Sequence, residues 1–145
     1  MYPTQITTLL FATNVFHSYF KQNTPLFLAG FPLYTSSLLY HFIKHSYPPN
    51  VRTTIPLCQI DFFLCYVYYF AALYDFFTRR TGGIKPPYSH FCVTMHVLIP
   101  GMFLVARPYK ALMWSDDLVV SERWHAIFHL LINLDTHIYL YNSYT

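Results

Sequence analysis

Charge is what this sequence has least of. Lys, Arg, Asp and Glu make up 10% of its 145 residues, where a soluble domain carries about 25%. That scarcity excludes a water-facing globular surface. The basic residues leave a formal net charge of only +3 and lie between apolar runs, so there is no concentrated basic face for nucleic acid. Cysteine is sparse too. Cys58, Cys65 and Cys92 are odd in number and all fall within apolar runs, which argues against a disulfide framework; packing as small apolar side chains accounts for them. The start, MYPTQITT, has no positive region ahead of an apolar stretch, so no cleavable signal is expected and the first or second apolar run leads insertion.

Apolar and aromatic residues are abundant, at 54% and 21%, and they gather into long runs. A bilayer core about 30 Å thick needs about 20 mostly apolar residues per helix. Five runs are of that order: 5–20, 25–45, 57–77, 88–105 and 121–141. The expectation is an all-α, polytopic transmembrane helix bundle of about five spans, forming one domain over residues 1–145. The first run is short and carries Asn14, His17 and Ser18, which leaves it open between a span and an interfacial helix. Gly30 and Pro32 lie near the start of the second, where a membrane helix tolerates them, and Pro100-Gly101 predicts a bend in the fourth. The connectors Lys21-Gln22-Asn23-Thr24, Tyr47-Pro48-Pro49-Asn50 and Thr78-Arg79-Arg80-Thr81-Gly82-Gly83 are turn chemistry. Tyr47, Tyr88, Tyr109, Trp114, Trp124, Tyr139 and Tyr141 sit near run ends, as in an interfacial aromatic belt. Basic residues divide almost evenly between the two sides, so the positive-inside rule selects no orientation.

Ionisable side chains inside membrane runs are expensive and point to function. The second run ends in Ser36-Ser37-Leu38-Leu39-Tyr40-His41, the third begins Gln59-Ile60-Asp61, and the fifth begins Arg123-Trp124-His125-Ala126-Ile127-Phe128-His129. Residues four apart share a helix face, which pairs Ser37 with His41 and His125 with His129. Parity then matters. The end of the second run and the start of the third flank one loop, and two crossings later the start of the fifth returns to that side. His41, Asp61, His125 and His129 therefore fall at one depth, roughly 5–12 Å below one surface at a rise of about 1.5 Å per residue.

Three neutral imidazoles plus a water are the open catalytic pattern of zinc, which lowers the pKa of that water to about 7. Asp61 is placed to hold the water or shuttle its proton, and Ser37 to hydrogen-bond the water or a substrate carbonyl. The competing reading of the His125/His129 pair is packing or interhelical hydrogen bonding, since a chain with eight histidines readily yields a pair four apart. His41 and His45 form another such pair, with His45 at the loop. His96 reads as a buried hydrogen-bonding residue, Asp75 as an end-of-helix ion pair with Arg79, and Asp135 and His137 as cavity- or partner-facing.

The ordered set Ser37-x3-His41, Asp61 and His125-x3-His129 resembles the CREST superfamily of membrane hydrolases and receptors. That superfamily includes alkaline ceramidases, the progestin and adiponectin receptors and the myomaker-like proteins. The resemblance implies a zinc ion on His41, His125 and His129, with Asp61 and Ser37 working around the bound water. It further implies hydrolysis of lipid amide or ester bonds. Members typically have seven spans; losing two between Asp61 and the histidine pair preserves the parity of the site.

The functional expectation is a membrane-embedded zinc protein acting on a lipid substrate, in an endomembrane by preference. Its partners are the bilayer and either further membrane chains or its own copies, and nucleic acid is excluded. The alternative is a non-catalytic structural subunit of an organellar or viral membrane assembly, which the small size and high Phe and Tyr content suit. A channel or transporter is disfavoured, because no matched pair of broken helices signals an inverted repeat.

Overall fold

A computed structural model describes residues 2–45, 51–79 and 88–143, excluding the side chains of 51–54, 79, 88–89 and 143. The connector Tyr47-Pro48-Pro49-Asn50 and most of the connector from Arg80 to Gly83 lie outside the described residues, as do the side chains of Arg52 and Arg79. Among the described residues the protein is helical, without strands: α1 (Pro3–Phe20), α2 (Thr24–Lys44), α3 (Val51–Arg79), α4 (Tyr88–Ala106), a single 3-10 turn (Leu112–Trp114) and α5 (Leu118–Ser143). Each apolar run of the sequence corresponds to one helix. Pro32, Pro56 and Pro100 all lie inside continuous helices.

The first turn shows how local chemistry sets the packing. Gln22, with φ of 54°, ends α1 in the left-handed region. The Asn23 N–H then reaches the Ser18 carbonyl and the Gln22 N–H the Tyr19 carbonyl, both at 2.9 Å, which is the paired C-terminal closure that usually employs glycine. Asn23 at once caps α2, accepting from the Leu26 N–H at 3.1 Å. Its amide also donates to Asp75 of α3 at 2.6 Å, and the Tyr139 hydroxyl of α5 donates to the same carboxylate. Asp75, 2% exposed, thus ties the α1–α2 turn to α3 and α5.

The helices alternate in direction. Gln5 of α1 meets the His41 carbonyl near the end of α2, Ser36 of α2 meets Asp61 of α3, and Asn23 meets Asp75, so α1/α2 and α2/α3 are antiparallel. Thr4 bonds Glu122 and Thr13 contacts His137, making α1 and α5 parallel. Tyr69 of α3 packs on His96 and Phe103 of α4 on Phe128 of α5. One apolar core joins Leu26, Ala29, Leu33, Tyr68, Ala72, Phe76, Cys92, Tyr139 and Leu140; a second centres on Ile99, Met113 and Phe128. Gly30 lets α2 approach α3 and α1 closely, because a Cβ there would stand 3.2 Å from the Tyr68 ring and 3.7 Å from Val15.

Among the described residues, two helices, Thr24–Lys44 and Ile55–Thr78, are long and apolar enough to cross a membrane. α1 has 18 residues, a length of about 27 Å at ~1.5 Å per residue, but its polarity is inverted. Thr4, Gln5, Thr7, Thr8, Asn14 and Ser18 are buried, while Ile6, Leu9, Leu10, Phe16, Tyr19 and Phe20 are exposed. α5 repeats the pattern: Glu122, His129, Asn133, Asp135 and Thr136 point inward, and Leu118, Val119, Ile127, Leu130 and Leu134 outward.

Candidate metal centre

The inward polar faces of α1 and α5 meet in a hydrogen-bonded seam. Thr4 bonds Glu122, Thr7 and Thr8 lie against His129, the Leu10 carbonyl accepts from Asn133 at 3.2 Å, and Thr13 and His17 meet His137 at 2.9 and 2.7 Å. On α5, residues 122, 125, 129, 133 and 137 recur three or four apart, which is one helix face. The end of α2 brings His41 against the upper part of this seam.

Three histidines converge there. His41, His125 and His129 each offer a ring nitrogen, and the three nitrogens lie within 4.8 Å of one another. The ring centroids are 4.9 Å (His41–His125), 5.1 Å (His41–His129) and 4.7 Å (His125–His129) apart. His41 is 0% exposed, and neither of its ring nitrogens has a hydrogen-bond partner among the described residues. An imidazole so placed forgoes every polar interaction that water would give it, and buried polar groups are rarely left that way. A cation shared with the two neighbouring rings would satisfy it. All three groups are neutral donors suited to zinc, so the residues fit the ion.

Asp61 is buried at the α2/α3 interface and accepts from Ser36 Oγ at 3.1 Å. Ser36, which no spacing argument singled out, thus holds the carboxyl. Ser37 is buried at 1% exposure one turn from His41. Above the histidines, toward the ends of α1, α2 and α5, Glu122 receives a hydrogen bond from Thr4 and forms an ion pair with Lys44 at 2.6 Å. His45 Nε2 stands 3.4 Å from the same carboxylate. Burial lowers the His45 imidazole below its ordinary value, outweighing the opposing pull of Glu122, so at neutral pH it meets Glu122 as a hydrogen-bond partner. Glu122 lies three residues before His125; that spacing alone would have put it on the histidine face.

Other polar groups that the sequence placed inside apolar runs lie elsewhere in the bundle. His96 Nδ1 is 2.7 Å from the Cys92 carbonyl and 3.1 Å from Asp135, which gives Asp135 a buried interhelical partner. His17 and His137 bond each other far along the seam from the three converging histidines, beside a cavity of about 410 Å3 that Ile138, Tyr141 and Asn142 complete. Comparison with protein-family models, curated proteins and solved structures gives no match to this chain.

Proposed function

We propose that this chain is a multi-pass membrane protein that holds a zinc ion on His41, His125 and His129, of the CREST type, and that it acts on lipid amide or ester bonds. The membrane reading rests on the inverted faces of α1 and α5. In water, burying Thr4, Thr7, Thr8 and Asn14 while exposing Leu9, Leu10, Phe16 and Phe20 would reverse the hydrophobic driving force. In lipid the same arrangement is favourable, because polar side chains find partners only inside the bundle. α4 and α5 supply the remaining crossings of a five-span chain.

The observation that carries the metal reading is His41, fully buried with two unpartnered ring nitrogens between two other imidazoles. A zinc ion bound there supplies Lewis acidity and an acidified water. Asp61, held by Ser36, is the proton acceptor in this reading, and Ser37 donates a hydrogen bond to the developing oxyanion. The test is elemental analysis of detergent-purified protein beside a His125→Ala/His129→Ala variant. About one zinc per chain in the parent and almost none in the variant is the expected result. Metal-free but folded parent protein refutes the reading.

A second reading is a non-catalytic membrane subunit, with or without metal. It is favoured by the position of the 410 Å3 cavity, which is lined by His17 and His137 and not by the three converging histidines. Hydrolysis of a short-chain ceramide or acyl ester by zinc-loaded protein, lost in Asp61→Asn, separates the two.

A further inference from the structure

The histidine ligands come from α2 and α5, yet it is α1 that builds the floor beneath His129. Thr7 Oγ1 lies 3.0 Å and Thr8 Oγ1 3.4 Å from His129 Nδ1, and the Phe11 ring packs against the imidazole with centroids 4.8 Å apart. The hydroxyl protons decide what these contacts mean. Each threonine has one proton and two lone pairs. Thr8 donates its proton to the Thr4 carbonyl at 2.7 Å. Thr7 directs its proton to the carbonyls of Pro3 at 3.1 Å and Thr4 at 3.3 Å. With their protons on those carbonyls, both hydroxyl oxygens are free to accept from His129, and the group that would satisfy them is an Nδ1–H.

We infer that Thr7 and Thr8 are positioning residues that hold His129 as its Nδ1–H tautomer, leaving the Nε2 lone pair for a metal ion. This rests on the zinc reading above. Neutral imidazole has one N–H, so a proton fixed on Nδ1 leaves Nε2 bare. The ring is also held in plane by Phe11 on one side and the two hydroxyls at its edge. Metal-bound histidines commonly donate their second N–H to an oxygen acceptor, and loss of that acceptor typically weakens metal binding 10- to 100-fold. Here the acceptors are side chains already oriented by the first turn of α1. The buried threonines of α1 thereby acquire a reason: a valine in either place would pack equally well in the bundle but could not accept the proton.

The direct test is 15N NMR of the histidine side chains in metal-free, detergent-solubilised parent protein, with His129 assigned from a His129→Gln variant. A protonated Nδ1 and an unprotonated Nε2 on His129 are expected; the opposite tautomer overturns the inference. The second measurement is zinc affinity by chelator competition in the parent, a Thr7→Val/Thr8→Val variant and a Thr7→Ser/Thr8→Ser variant. The valine pair should bind 10- to 100-fold more weakly and the serine pair should return to within about threefold of the parent. A valine pair that binds as the parent does overturns the inference while leaving the zinc site intact. A parent that binds no zinc instead refutes the zinc reading on which the inference rests. Far-UV circular dichroism on each variant reports whether the fold survives, and the tautomer measurement on the parent stands whatever the variants do.

Discussion

Replacing His41 with leucine should stabilise the metal-free protein and destabilise the zinc-loaded one. His41 is fully buried and both its ring nitrogens lack hydrogen-bond partners among the described residues. A buried polar group without a hydrogen bond costs about 1–3 kcal/mol. Leucine has similar bulk and no polar atom, so His41→Leu should recover about 2 kcal/mol of that penalty when no metal is present. For a chain of this size that corresponds to a rise in Tm of about 4–8 °C. With free zinc at about 100 times its Kd, the parent gains about 2.7 kcal/mol from binding and the variant, lacking a ligand, gains little. The order of stability therefore reverses: the variant melts higher in EDTA and the parent melts higher in zinc. Thermal unfolding in one detergent, followed by intrinsic fluorescence in both buffers, reads this directly. A His41→Leu protein less stable than the parent in EDTA would show that the imidazole is satisfied without metal, and the reasoning from its orphaned nitrogens would fall.

Two further outcomes follow from packing and topology. Gly30→Leu should cost about 1–3 kcal/mol by overpacking the contact with Tyr68. Gly101→Ala, whose new Cβ meets nothing within 4 Å, should be neutral or raise Tm slightly, since alanine favours a helix interior by about 1 kcal/mol over glycine; equal losses at both sites would contradict the packing at Gly30. If α1 crosses the bilayer, single cysteines placed at Tyr2 and Gln22 in a chain stripped of Cys58, Cys65 and Cys92 should label from opposite sides of sealed vesicles. Labelling of both from one side would make α1 an interfacial helix.

The ends of the helices were largely legible. The run 25–45 became Thr24–Lys44 and 88–105 became Tyr88–Ala106, because sustained apolarity and flanking turn residues act locally. The third helix begins earlier than its run, at Val51, since the polar residues Arg52, Thr53 and Thr54 are compatible with helix but carry no apolar signal. The turn at Lys21–Thr24 was also visible, although only the structure shows Gln22 replacing the usual glycine. Asp75 read in sequence as the partner of Arg79, whose side chain lies outside the described residues; in the fold the carboxylate also receives Asn23 and Tyr139, residues 52 and 64 positions away. No short-range spacing can express such contacts.

The sequence by itself determined that the chain is helical and that His41, His125 and His129 return to one end of it. Composition sets the first, and counting the alternating directions of successive helices sets the second; neither needs knowledge of which helix touches which. Tertiary structure alone decided the roles of the polar groups around them. Ser36 donates a hydrogen bond to Asp61, Glu122 pairs with Lys44, and Thr7 and Thr8 of α1 meet His129. The physical reason is rotational. Periodicity tells which residues share a face, but the direction that face takes is chosen when the inward polar stripes on α1 and α5 find each other as hydrogen-bond partners.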